Sequence, residues 1–577
     1  MPDNSDLAAI FSEMADILDI QGANVFRVRA YRSAARTIET LGAQVAGLVA
    51  QDPASLDRIP GIGKGLHEKI AEYCARGSIH EHQQLKAAIP PGLLDLLRLQ
   101  SLGPKRVRLV HDALGIDSVD KLEEACTRGL VRALPGLGEK SEEKLLSSIR
   151  DYRALQTGRT PFAAAEHVLE PYLAHLRAKG GTDLLEPAGS YRRRRESVGD
   201  LDILATARAA PERTIAAFTE YPGVAKVLAS GTTKASVVLT GGIQTDLRVV
   251  EPPSFGAALQ YFTGSKEHNV AVRGLAKDKG LKLSEYGVFR GDTAVAGRTE
   301  EEVYAALGLA WIPPELRENR GELQAAASGS LPDLVSLDQI RGDLHMHSTW
   351  SDGVNSIADL ARAARARGYD YIAITDHSKA VTVAHGLSPV RLRDQRAEIA
   401  ELRASFRGFH ILTGSEVDIL DDGSLDFDDE VMAEIDFVTA SVHSRLDMAE
   451  AAMTKRIVRA LGHPQVHCLG HPTGRLVGQR LPYKVDMAAV IEAAAAHHVA
   501  LEINSAPDRL DLDETNAGQA RRAGVPLSVA TDAHHAGALD TIRFGIHIAR
   551  RAWCTRADVL NAWTFARISE WLASKPH

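Results

Sequence analysis

The sequence predicts a multidomain chain of mixed α+β and α/β class: helical amino-terminal domains, a central mixed sheet with a small companion domain, and a carboxy-terminal distorted barrel of seven strands and helices. Residues 1 to about 150 are segments of helical period separated by Gly-containing turns. From about residue 160 the apolar pattern switches to period two. After residue 338, seven short apolar stretches alternate with helical segments, and six of them carry His, Asp or Glu at or just past their carboxy-terminal ends. That layout belongs to a βα barrel, whose chemistry sits at the ends of its strands.

In the helical region, LAAIFSEMADIL and VFRVRAYRSAARTIETL repeat apolar residues at helical spacing. Three turns separate such helices, RIPGIGKGLHEKI (58–70), LQSLGPKRVRLV (99–110) and ALPGLGEKSEEKLL (133–146). They have the form of helix–hairpin–helix turns, in which small glycines let successive backbone N–H groups point at a DNA phosphate without reading bases. The candidate contacts are Gly61, Gly63, Lys64 and Gly65, then Gly103 and Lys105, then Gly136, Gly138 and Lys140. The middle copy has Ser101 where its first glycine would stand. A plain helix–helix turn is the competing reading of each.

The stretch GSYRRRRESVGDLDIL (189–204) opens the sheet region. Val198, Asp200, Asp202 and Leu204 alternate with Gly199, Leu201 and Ile203, so both aspartates leave one face of a strand. Two like charges side by side call for a cation between them. Asp246, in the neighbouring strand candidate TDLRVV, supplies a third carboxylate. Three such groups could bridge two Mg²⁺ (or Mn²⁺) about 3.5–4 Å apart, a spacing suited to phosphoryl transfer. Gly189 and Ser190 then form a small turn open to phosphate, and arginines from the run 192–195 neutralise its charge. Arg193 is the candidate for that role; Arg192, Arg194 and Arg195 read equally as solvated or structural. The alternative for the aspartates alone is a solvated pair on an edge strand.

In the barrel, HMHSTWSDG places His345 and His347 on one face of a strand, with Asp352 in the loop that follows. His377, Glu416, His443, His471, Asp532 and His534 stand at the ends of other strands. Nine candidate ligands at strand carboxy-terminal ends call for metal. Imidazole suits Zn²⁺ or Mn²⁺, and a cluster of two or three ions can generate hydroxide and clamp a phosphate. His410, His463, His467, His497, His498 and His535 fall outside this set, with His535 the nearest to it.

The whole chain has 577 residues, 45% of them hydrophobic and 25% charged, with a net charge of -8. DNA contact must therefore come from local patches. The four cysteines form no CxxC pair, which fits a reducing cytosol. The start lacks a basic and apolar leader, and no apolar run is long enough to span a membrane.

The elements GS…R…ESVGDLDIL, TDLRVVEP and YFTGSKEHNVAVR together resemble the palm and thumb of family X DNA polymerases, the group containing DNA polymerase beta, over roughly residues 5–320. The resemblance implies that Asp200, Asp202 and Asp246 are the catalytic metal ligands and that Ser190 and Arg193 grip the triphosphate. It implies that Tyr261, Phe262, Gly264 and Ser265 lie against the sugar and primer end, with Asn269 and Arg273 facing the nascent base pair and template. Lys266 departs from the vertebrate repair enzymes, which carry an Asp there. By its spacing from PGIG, Lys69 aligns with the Schiff-base lysine that removes deoxyribose phosphate; an exposed, solvated lysine is the competing reading.

Residues 338–577 resemble the polymerase and histidinol phosphatase (PHP) domain, whose nine-ligand set is filled here. That resemblance implies one ion on His345, His347, Glu416 and Asp532, a second on Glu416, His443 and His471, and a third on Asp352, His377 and His534. The expected boundaries are a first helical domain (1–85), a second, fingers-like one (86–155), a nucleotidyltransferase palm (156–255), a thumb (256–320), a linker (321–337) and the barrel (338–577). The resemblance implies a monomeric, cytoplasmic, nucleoid-associated enzyme acting on gapped or primer–template DNA and dNTPs. It would fill short gaps in repair, with 3′–5′ exonuclease, abasic-site endonuclease and 3′-end processing in the barrel. The rivals are a polymerase whose barrel is structural or a small-molecule phosphatase, a template-independent nucleotidyltransferase, and a degenerate DNA end-binding scaffold.

Overall fold

The computed structural model describes residues 4–575 apart from 40, 42–44, 52–55, 57–58, 60–61, 100–101, 156–157 and 209. Helices Asn4–Ile20 and Val25–Glu39 pack through Phe11, Met14, Tyr31 and Ile38. A second helical core gathers Leu96, Val107, Val110, Leu122, Leu145 and Ile149. Ile17 and Ile20, from the end of the first helix, belong to that second core, so one helix ties both units together. Gly63 and Gly103 precede the helices Lys64–Arg76 and Pro104–Leu114, the latter begun by a proline whose missing N–H costs nothing there.

The central sheet has five strands in the order Thr182–Pro187, Leu201–Ala207, Gln244–Val249, Lys234–Leu239 and Val224–Ser230. It is mixed: Leu201–Ala207 runs parallel to Gln244–Val249, and the other pairings are antiparallel. Helices Phe162–Lys179 and Pro211–Thr219 cover one face, burying Leu169, Tyr172, Leu176 and Phe218 with Ile203 and Val237. The strand Thr182–Pro187 escaped the sequence reading because TDLLEP carries charges and ends in proline, as suits an edge strand.

The companion domain follows with helices Phe255–Thr263 and Lys266–Asp278 and a three-stranded antiparallel sheet. Residues 321–337, expected as a linker, are packed instead. They begin with the helix Glu322–Ser328, whose Ala326 joins Leu334, Val303, Tyr304 and Ile312 in the core of this domain. Glu322 is fully buried against His268, and the Val335 amide donates to Cys554 O at 2.9 Å. A seven-residue helix is too short to show a period in the sequence.

The barrel has seven parallel strands in chain order: Gly342–Asp343, Tyr371–Ile374, His410–Asp418, Phe437–Ser441, Cys468–Leu469, Ala500–Asn504 and Leu527–Ala530. A parallel bridge between Met346 and Ala533 joins the first strand region to the last, and the His347 amide donates to Ala533 O at 2.8 Å. Palm and barrel share one continuous apolar core. Phe162 stacks on Tyr191 at 4.8 Å and meets Phe544 of the barrel edge-on at 6.2 Å. Ion pairs Arg543–Glu166, Arg475–Glu196 and Arg195–Glu514 cross the same seam. All four cysteines are free thiols, and no helix among the described residues is long and apolar enough to cross a membrane.

Candidate functional site

Strand pairing sets the first site. Leu201–Ala207 and Gln244–Val249 align in parallel with Asp202 directly opposite Asp246. Asp200 stands just before the first of these strands and is exposed. Burial, reinforced by the charges of Asp200 and Asp246, pushes the Asp202 carboxyl up to about 7. Asp246 accepts hydrogen bonds from the Ser236 hydroxyl and from Gln244 Nε2, at 3.2 Å to Oδ2 for the latter. Gly189 has φ +62°, and a Cβ there would stand 2.5 Å from Asp202 Oδ2. Only glycine lets the turn Gly189–Ser190 approach the aspartates this closely.

The four arginines have separate partners. Arg192 forms a fork with Glu300, at 2.7 and 2.8 Å, and Arg317 holds the same carboxylate from the other side. Arg193 donates from Nε to Glu318 Oε1 at 3.1 Å and from Nη1 to Thr263 O. Arg194 lies 5.5 Å from the Phe162 ring centre and 5.7 Å from that of Tyr191. Arg195 reaches Glu514 of the barrel at 3.2 Å. Arg192 and Arg195 are thus engaged by carboxylates and Arg194 by ring faces. Arg193 stands near Asp202, where its charge opposes the rise in pKa, and next to Gly264, where a Cβ would lie 3.1 Å from its Nη1.

Tyr261 and Phe262 pack edge to face at 5.1 Å, with Arg248 over the Phe262 ring at 4.6 Å. Asn269 is fixed by Gln260 Nε2 at 2.9 Å and by its own donation to Tyr261 O at 2.7 Å. The Ser265 hydroxyl caps the helix Lys266–Asp278 by accepting from the His268 amide. Lys266 and Arg273 are exposed.

The barrel mouth gathers all nine expected ligands around Glu416. Glu416 Oε1 lies 3.0 Å from His471 Nε2 and 3.2 Å from His443 Nε2. Its Oε2 lies 2.9 Å from His377 Nδ1, 3.5 Å from His345 Nε2 and 3.7 Å from His347 Nε2. Asp532 Oδ1 is 3.1 Å from His347 Nε2, while Asp352 Oδ2 is 3.6 Å from His377 and 3.4 Å from His534. Three sets can bring one ligand atom each within 4.8 Å of the others: His347, Asp352, His377 and His534; His345, His347 and Asp532; and His377, Glu416 and His443. The grouping differs from the expected one: His347 and His377 are each shared, and His471 faces Glu416 outside these sets. Among the described residues the three aspartates of the palm form no set this tight.

The residues fit metal ions. His345 Nε2, His347 Nδ1 and Nε2, and His377 Nδ1 are buried with no hydrogen-bond partner among the described residues, although carboxylate oxygens lie close by. Buried polar nitrogens without partners are costly unless something else binds them. The backbone is strained at two of the ligands, His471 with φ 27° and Asp532 with φ 53°. Burial disfavours charge on Glu416, yet the surrounding imidazoles hold its pKa well below the ordinary carboxylate range. Burial likewise opposes charge on His443, but Glu416 and Asp418 push it up to about 10.

Sequence reading missed the residues that orient these ligands. Glu502 accepts from His345 Nδ1 at 2.7 Å and from the His471 amide at 2.5 Å. Asn504 Nδ2 donates to Asp532 Oδ2 at 3.0 Å, and Asp418 Oδ1 holds His443 Nδ1 at 2.9 Å. Glu502 and Asn504 share one face of the apolar strand Ala500–Asn504, the signal that could have found them. Of the histidines outside the set, His410 stacks on Phe565 and His467 Nδ1 accepts from the Val438 amide at 3.0 Å.

At the turns, a Cβ on Gly63, Gly65, Gly103, Gly136 or Gly138 would meet nothing within 4 Å among the described residues. Close packing therefore does not require these glycines; they leave open surface beside backbone amides. Lys105 and Lys140 are exposed, while Gly61 and the Lys64 side chain lie outside the described residues. Lys69 Nζ pairs with Glu81 at 2.8 Å. Burial would lower its pKa, but Glu81 and Tyr31 raise it above the ordinary value. A Schiff-base nucleophile must be a neutral amine, so this pairing works against that role.

Residues 258–318 match the DNA polymerase beta thumb family and residues 343–506 the PHP domain. A helix–hairpin–helix domain matches residues 2–79, and a SAM-like helix–hairpin–helix tandem matches 93–151, which spans the middle turn as well as the third. The DNA polymerase/3′–5′ exonuclease PolX of Bacillus subtilis (strain 168) is 40% identical, over 98% of this chain and 99% of its own length. A probable phosphatase of Thermoanaerobacter sp. (strain X514) is 29% identical over 40% of this chain, and the probable phosphatase YcdX of Escherichia coli O1:K1 / APEC is 29% identical over 34%. An aspartate pair in register, a thumb and paired helix–hairpin–helix units lie in one chain with a histidine-lined barrel, and the full-length match covers them all: the chain belongs to the PolX family, the family X DNA polymerases that carry a PHP domain.

Proposed function

We propose that this chain fills short gaps in DNA as a template-directed polymerase and trims 3′ ends in its barrel. The observation that carries the reading is the register of Asp202 against Asp246 beside the glycine turn. Divalent ions bound there, Mg²⁺ or Mn²⁺, would make the primer hydroxyl a better nucleophile and neutralise the phosphates. Asp200, Asp202 and Asp246 would hold them. Gly189, Ser190 and Arg193 approach the triphosphate, Tyr261, Phe262, Gly264 and Ser265 lie along the sugar and primer end, and Asn269 and Arg273 face the base pair. The primer 3′-oxygen attacks the α-phosphate in line, a bond to it forms, and the bond to pyrophosphate breaks.

In the barrel, two or three Zn²⁺ or Mn²⁺ ions would activate water and polarise a phosphodiester. His345, His347, Asp352, His377, Glu416, His443, His471, Asp532 and His534 would bind them, with Glu502 holding the His345 ring and Asn504 the Asp532 carboxylate. Abasic-site cleavage and 3′-end cleaning use the same chemistry. The open glycine turns hold the duplex backbone, and the reading includes a monomer working on cytoplasmic, nucleoid DNA. The barrel-only similarity to probable phosphatases raises one second reading, a small-molecule phosphatase, which the full-length match does not favour.

A 5′-labelled primer on a one-nucleotide gap tests both halves. With dNTPs and Mg²⁺ it should lengthen by the templated base; without dNTPs and with Mn²⁺ it should shorten from its 3′ end. No extension removes the polymerase reading. Hydrolysis of histidinol phosphate with an intact primer would install the phosphatase instead.

A further inference from the structure

We propose that Arg551, on the barrel helix Ile542–Arg551, acts with Glu318 to position Arg193 for the incoming triphosphate. Nucleotide binding in the palm would then depend on a side chain of the other catalytic domain. The inference rests on the reading above, in which Arg193 grips the triphosphate.

The Arg193 side chain is only 13% exposed. Its Nε is committed to Glu318 Oε1 and its Nη1 to Thr263 O, which together fix the plane of the guanidinium. The same Glu318 oxygen accepts from Arg551 Nη1 at 3.1 Å, and that nitrogen also donates to Arg193 O at 2.7 Å. Arg551 thus holds both the backbone of Arg193 and the carboxylate that orients its side chain. Behind it, Arg551 Nη2 donates to Glu514 Oε1 at 3.0 Å, an oxygen that Arg195 also reaches.

Four guanidiniums here, those of Arg193, Arg195, Arg320 and Arg551, share the two carboxylates of Glu318 and Glu514, leaving net positive charge beside the palm site. The Arg551 side chain is 0% exposed, and its Nε has no hydrogen-bond partner among the described residues. A buried arginine with an unsatisfied donor is weak support for stability, because apolar packing would serve as well. A positioning role accounts for it: a long cationic side chain that would otherwise sample many rotamers reaches the substrate already oriented.

Gap filling of a single nucleotide by the full chain tests this. Arg551→Met and Glu318→Gln should each raise the KM for dNTP about tenfold, as expected for one lost charged hydrogen bond, with kcat little changed. Glu318→Gln keeps the shape of its site and lies outside the barrel, so it reports even where Arg551→Met fails to fold. Arg551→Lys should recover part of the loss. Arg543→Met cuts a different palm–barrel ion pair, with Glu166, and should leave KM at the parent value. Parental KM values in Arg551→Met and Glu318→Gln, or an equal rise in Arg543→Met, would overturn the inference. Arg193→Ala reports on the underlying reading: an unchanged KM there sinks the triphosphate role and this inference with it. A rise in Arg193→Ala alone sinks only the positioning role.

Discussion

Gly189 and Glu502 show how single positions serve the two sites. A Cβ at Gly189 would press on Asp202 Oδ2 and would need a left-handed backbone. Gly189→Ala should therefore cut nucleotide addition by about 100-fold, since misplacement of a reacting group by an ångström has that scale of effect. Excision should be untouched, and primer extension beside 3′ trimming measures both. Glu502 holds the His345 ring and the His471 amide without joining the ligand sets. Glu502→Ala should raise the Mn²⁺ concentration needed for half-maximal excision about 10–100-fold, the usual cost of losing an orienting partner. An unchanged Mn²⁺ requirement would show that Glu502 does not orient the histidines.

At the scale of elements, the junction of palm and thumb hangs on Glu300, held by Arg192 and Arg317. Burial alone would raise its pKa, but Arg317 and Arg192 outweigh burial and hold it at about 2 against an ordinary 4.5. A carboxylate depressed in the folded state stabilises the fold above its unfolded pKa. That contribution is lost as pH falls from about 4.5 towards 2. Denaturant unfolding measured across this range should show the loss in the parent and a flatter acid limb in Glu300→Gln. The strands that carry Asp202 and the barrel ligands were legible because alternation and apolar runs are local signals. Partners such as Arg192 and Glu300, 108 residues apart, or Arg551 and Arg193, 358 apart, leave no local trace. The packed segment 321–337 was misread for a related reason: its small residues are chosen by the domain they rest on, not by their own period.

Across the whole molecule, palm and barrel are one packed body joined by Phe162, Tyr191 and Phe544, while the helical units have cores of their own. Phe162→Ala should destabilise palm and barrel together by about 3–5 kcal/mol, the usual cost of emptying a buried aromatic site. Calorimetry should then show one transition moving and the helical one standing still. On the proposed reading the two chemistries nevertheless use separate carboxylate and imidazole cages, and the most direct measurement sets Asp202→Ala against His347→Ala on one gapped, 5′-labelled duplex. Asp202→Ala should lose extension by orders of magnitude and keep Mn²⁺-dependent trimming, and His347→Ala should do the reverse. Loss of both activities in either variant would contradict two independent sites.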